Sequence, residues 1–88
     1  MYRLQVLERA EQDLASLDRE VARRIVKKLK WLAGNIETVR REPLSGNLSD
    51  FLKYRIGDYR AIYQVLENEQ LVVVYEIGHR REVYKDRN

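Results

Sequence analysis

The stretch KYRIGDYR, residues 53–60, constrains this chain more tightly than any other. Gly57-Asp58 suits a two-residue hairpin turn of type I′ or II′, because glycine takes the positive φ such turns demand without steric cost. A two-residue turn also fixes register. Ile56 must face Tyr59, Arg55 must face Arg60, Tyr54 must face Ala61, and Lys53 must face Ile62. Side chains alternate along a strand, so one face collects Leu52, Tyr54, Ile56, Tyr59, Ala61, Tyr63 and Val65. The other collects Lys53, Arg55 and Arg60, with Phe51, Ile62 and Gln64 further along.

The first of these faces is a core. The second sets Arg55 against Arg60 with Lys53 beside them, and like charges directly opposite cost a sheet from a few tenths to about 1 kcal/mol. Unless Asp58, Glu76 or Glu82 neutralises the cluster, the arrangement suits a polyanion, whose phosphates turn repulsion into charge-assisted hydrogen bonds.

The surrounding sequence supplies the layers. YRLQVL, residues 2–7, alternates weakly and predicts a first strand. From Glu8 the period changes: Ala10, Leu14 and Leu17 share a helical face, and Asp18 suits the N-cap of a second helix. In that helix Ala22, Ile25, Val26, Leu29, Leu32 and Ala33 keep a spacing of three and four, and Gly34 is a natural stop. Its other face carries Arg23, Arg24, Lys27, Lys28 and Lys30, which is a solvated face or, on a sharper reading, a contact for RNA phosphates. Residues 35–50 read as a loop, with a last helical turn reaching Val39. Strands are predicted at about 51–57, 59–66 and 71–78; LVVVYEI is apolar on both parities, as in a strand covered on both sides. The expected fold is α+β: an N-terminal strand, a two-helix hairpin, then a three-stranded antiparallel meander, with the helices packed on one face of a small sheet.

Composition closes off other classes. With 88 residues, 1–88 is expected to be a single domain with a modest core. No apolar run approaches a membrane span and the N-terminus lacks a signal-peptide core, so no membrane association and a cytoplasmic location are expected. The absence of cysteine removes disulfides and thiolate metal sites, and a single histidine, His79, cannot build an imidazole cluster; no metal and no cofactor is expected. The net charge of +3 is only mildly basic, so placement of charge matters more than its total.

A second cluster, GHRREVY, follows the last strand. Hydrogen bonding of that strand to its predecessor should return His79 and Arg80 to the Arg60 end of the sheet. Tyr84 offers a ring on which a base could stack, or one that staples the tail to the sheet.

Together, EPLSGNLSDFLKYRIGDYRAIYQV, the apolar run and IGHRREVY give R-x-G-x-Y-R-x-x-Y followed by G-H-R-x-x-x-Y. In that order, and over nearly the whole chain, they resemble the RelE/ParE superfamily of bacterial toxins, and its RelE-type members more closely. The resemblance implies a toxin of a type II toxin–antitoxin pair that enters the ribosomal A site and cuts mRNA there. The 2′-OH attacks the adjacent phosphate and a 5′-OH fragment leaves, a reaction that needs orientation, charge stabilisation and two proton transfers but no metal.

Residues matching family active-site positions are Lys53, Arg60, Arg80 and Tyr84, with Arg55 a basic position in the same strand. Arg55 and Arg60 would bind phosphate, Arg80 would serve the leaving 5′-oxygen, and Tyr84 would stack on or orient a base. Arg81 would add an RNA contact. The family's outer strand lysine is replaced by Phe51, which would stack on RNA or cover the sheet edge. Lys53 and His79 are consequently rival candidates for activating the 2′-OH.

The implied partners are the ribosome, mRNA and a cognate antitoxin, whose acidic or amphipathic segment would cover the basic sheet. The toxin alone is expected to be a monomer or weak dimer. The principal alternative is a ParE-like gyrase-inhibiting toxin; another is a catalytically weak RNA-binding member of the same fold.

Overall fold

A computed structural model of the chain describes residues 1–79. It begins with strand β1 (Arg3–Val6), followed by helices α1 (Glu8–Ala15) and α2 (Arg19–Gly34). A two-residue strand β2 (Glu42–Pro43) and a 3-10 turn (Gly46–Leu48) lead into β3 (Leu52–Ile56), β4 (Tyr59–Leu66) and β5 (Leu71–His79). The sheet order is β1-β5-β4-β3-β2. Its meander β3-β4-β5 is antiparallel as expected, but β1 joins β5 in parallel, so the sheet is mixed. The helices between β1 and the meander make that parallel pairing feasible, since parallel neighbours need a long crossover.

Local chemistry explains the helices. The Asp18 carboxylate accepts from the Glu20 backbone N–H at 3.2 Å and opens α2. Ile25, Leu29, Leu32 and Ala33 are buried against the sheet, whereas Ala22 and Val26 are only half-buried. The basic face is solvated: Arg23, Arg24, Lys27, Lys28 and Lys30 are all exposed. Gly34 is the last helical residue and not a residue beyond the helix. Asn35 closes the end, its side-chain amide donating to the Trp31 carbonyl at 2.8 Å. One more turn follows, Val39 N–H donating to Asn35 O, and it buries Ile36.

The core lies between the helices and one sheet face. Ala10, Ile25, Leu29 and Leu32 meet Ile56, Ala61, Tyr63, Val72, Val74 and Ile77. β5 runs between β1 and β4, which is why its sequence is apolar on both parities. The second face of the sheet is covered partly by residues 44–51, where Leu44, Leu48 and Phe51 close over Ile62 of β4.

Candidate functional site

The β3–β4 hairpin has the register its turn demands: Ile56↔Tyr59, Arg55↔Arg60, Tyr54↔Ala61 and Lys53↔Ile62. Gly57 sits at φ +61° and Asp58 does not enter the left-handed region, so the turn follows the II′ pattern rather than I′. Tyr54, Ile56, Tyr59, Ala61 and Tyr63 face the helices. Alternation then sends Lys53, Arg55 and Arg60 to the outer face.

Arg55 is exposed and its Nε donates to the Gly57 carbonyl at 3.3 Å, folding the guanidinium back over the turn. Arg60 is half-buried, with its Nε buried. Across β5 its partner is Gly78, which carries no side chain. Glu76, one of the carboxylates able to neutralise the cluster, receives the Arg9 guanidinium at 3.5 Å.

β5 does return to the Arg60 end of the sheet, but a bulge turns His79 away from the arginines. The pairs Tyr63↔Val74 and Ile62↔Glu76 leave Tyr75 as an extra residue. Val72 and Val74 face the helices before it; Ile77 and His79 face them after it. His79 accordingly packs its ring on Tyr59, centroids 5.9 Å apart at 73°, on the face opposite Lys53, Arg55 and Arg60. The end of β5 runs past β1, whose last pair is Val6↔Val74. There the Ile77 N–H would lack a strand partner, and the Asp13 carboxylate of α1 accepts it at 2.9 Å.

Phe51 packs edge-on against Tyr75, ring centroids 5.1 Å apart at 83°. The Tyr75 hydroxyl donates to Gln64 Oε1 at 2.8 Å. Phe51 thereby covers the outer sheet face next to the basic cluster. Tyr75, Arg9 and Glu76 belong to the same surface and were not singled out as site residues from sequence. The signal for Tyr75 was the broken alternation in VVVYEI, where a carboxylate takes the parity of buried valines. Arg80, Arg81 and Tyr84 lie outside the described residues.

On the core side burial raises the pKa of Tyr63, an effect that Arg41 partly opposes and that Tyr54 and Glu42 reinforce. The Tyr63 hydroxyl is buried and has no hydrogen-bond partner among the described residues. Burial also raises the pKa of Tyr54. Both rings lie beneath the basic face as its support.

A family model described as the ParE toxin of the type II toxin–antitoxin system, parDE, matches residues 4–84. No curated protein matches the sequence. Among solved structures, the chain is similar to one in the toxin–antitoxin complex RelBE2 of Mycobacterium tuberculosis. They are 25% identical with a TM-score of 0.81, over 90% of this chain and 98% of that one. It is also similar to the isolated E. coli RelE toxin, at 27% identity and a TM-score of 0.73, over 98% and 94% of the two chains. An E. coli RelE mutant in complex with a peptide of its antitoxin is 28% identical with a TM-score of 0.68, over 99% and 94%.

Proposed function

The chain belongs to the family of ParE toxins of type II toxin–antitoxin systems, within the RelE/ParE superfamily, and from that premise we propose that it is a ribosome-dependent endoribonuclease that cuts mRNA in the A site. The observation that carries this reading is the outer sheet face, where Arg55 lies opposite Arg60 with Lys53 on the same strand as Arg55. Three cations on one rigid surface suit the charge that develops on phosphate during cleavage.

In the proposed reaction the ribose 2′-oxygen attacks the adjacent phosphorus. The bond from phosphorus to the 5′-oxygen breaks, leaving a 2′,3′-cyclic phosphate and a 5′-OH. Arg55 and Arg60 hold the phosphate and stabilise the transition-state charge. Lys53 shares their face and is the preferred group to take the 2′-OH proton; His79, packed on Tyr59 across the sheet, is the lesser candidate. Arg80 serves the leaving oxygen, Tyr84 orients a base, and Arg81 and Phe51 add RNA contacts. The chemistry as written uses no metal or other cofactor.

A cognate antitoxin is the expected partner, as in the M. tuberculosis and E. coli complexes. Among the described residues no helix is long and apolar enough to cross a membrane. The match to the ParE model favours a second reading, a gyrase-inhibiting toxin.

The test is to map 5′ ends in a translated mRNA with and without purified ribosomes. Cuts within codons that need ribosomes support the proposal. Intact mRNA beside gyrase-linked DNA breaks would move the assignment to the second reading. Loss of cleavage on EDTA treatment that leaves the ribosomes intact would overturn the metal-free chemistry.

A further inference from the structure

The outer face carries, beside its cations, a groove of about 410 Å³, of whose lining the reaction above uses Phe51 alone. Its walls are apolar: Leu44, Leu48, Phe51, Ile62 and Tyr75. Its rim is the ion pair Arg9–Glu76, with side chains 62% and 14% exposed. Ile62, in the wall, pairs with Lys53 on one side and Glu76 on the other, and stands two residues from Arg60 on the same strand face. The groove therefore opens about 7 Å along the strand from Arg60 and about 5 Å across the sheet from Lys53.

We propose that this groove is a nucleobase slot that receives a base of the RNA whose phosphate lies on Arg60 and Lys53, and that its rim selects a base carrying an exocyclic amino group. The inference rests on the RNA-cleaving reading and adds a specificity determinant to it. The shape fits a flat ring. Phe51 and Tyr75 stand at 83°, so an entering base stacks on one ring and meets the other edge-on.

The rim supplies the selection. A carboxylate accepts from the amino groups of cytosine, adenine or guanine, and a guanidinium donates to the ring nitrogen or carbonyl beside them. A carboxylate has about four lone-pair sites, so the ion pair with Arg9 does not by itself exhaust Glu76. Uracil offers no amino group, and its one edge donor, the imide N3–H, is flanked by two carbonyl oxygens, so donating to Glu76 brings a carbonyl oxygen beside the carboxylate. Charge complementarity extends over the whole nucleotide: phosphate on the cations, amino edge on the anion, ring on the aromatic wall.

The test reads binding apart from cleavage. Nucleoside 5′-monophosphates are titrated into the full chain, following the Ile62 methyl and the Phe51 and Tyr75 ring signals by NMR. CMP, AMP or GMP should shift these signals saturably, and UMP should bind about tenfold more weakly, the worth of a hydrogen bond to a charged group. Glu76→Gln should erase most of that difference with the fold unchanged, and Leu48→Trp, which fills the groove, should abolish the shifts for every base.

Shifts confined to Lys53, Arg55 and Arg60, or equal responses to all four nucleotides that Glu76→Gln does not alter, would overturn the slot. Saturable, base-selective shifts in a protein that cleaves no translated mRNA would retain the slot and remove the endonuclease reading. Cleavage without groove shifts would do the reverse.

Discussion

Arg55 and Arg60 face each other across the hairpin, one exposed and folded over the Gly57 carbonyl, the other half-buried against the sheet. Replacing Arg55 by alanine relieves a like-charge pair and removes little packing, so stability should hold or rise by up to about 1 kcal/mol. Cleavage should fall at least tenfold, since one lost contact to transition-state charge is worth roughly 2–4 kcal/mol. Arg60→Ala should cost as much activity but also some stability, because its half-buried stem packs on the sheet. Thermal melts and ribosome-dependent cleavage assays check both. A strongly lowered melting temperature in Arg55→Ala would mark the pair as structural.

The two candidate bases stand on opposite faces of the sheet, and the geometry ranks them. Lys53→Met should slow single-turnover cleavage by about 10²–10⁴-fold, the usual worth of general-base catalysis. His79→Ala removes a ring that packs on Tyr59, and should have a mild effect on rate. The reverse pattern would place the base at the end of β5 and require a rearrangement around the bulge.

The hairpin was legible because one glycine and a two-residue turn leave no freedom in register, and every pair across β3 and β4 followed from it. The helices were legible from the spacing of Ile25, Leu29 and Leu32. Two features needed the fold. The parallel pairing of β1 with β5 joins segments more than 60 residues apart, and no local pattern encodes it. The face of His79 depends on one extra residue at Tyr75, so strict alternation from Val74 puts the imidazole on the wrong side. Glu76 at a core parity was the available warning. Burying that carboxylate would cost far more than a bulge does.

The turn itself offers a clean measurement. Gly57 has φ +61°, and a Cβ built there would meet nothing within 4 Å. Gly57→Ala should therefore pay only the backbone cost of a sparsely populated positive-φ conformation, about 1–3 kcal/mol. For a domain of this size that lowers the melting temperature by about 4–8 °C per kcal/mol. Gly57→Asn should recover part of the loss, because asparagine tolerates this conformation better. Equal losses for Ala and Asn would mean that contacts, and not φ, set the cost.

Tyr63 connects stability to pH. Burial raises its pKa in the folded state above the ordinary value of 10.0, so the native protein keeps its proton to higher pH than the unfolded chain does. Between those two values the folded state binds more protons, and stability falls as pH rises. The contribution is thus complete below about pH 10, the ordinary tyrosine value, and declines above it. Tyr63→Phe removes a buried hydroxyl that has no partner among the described residues. It should stabilise the fold by about 1 kcal/mol near neutrality, the cost of an unsatisfied buried polar group less the lost contacts. It should also flatten the decline above pH 10, leaving the share contributed by Tyr54, whose pKa burial raises as well. Urea titrations of both proteins from pH 7 to pH 11 measure this. A Tyr63→Phe variant that is less stable at neutral pH, or declines as steeply above pH 10, would show that the hydroxyl holds a bridging water and contributes to the core.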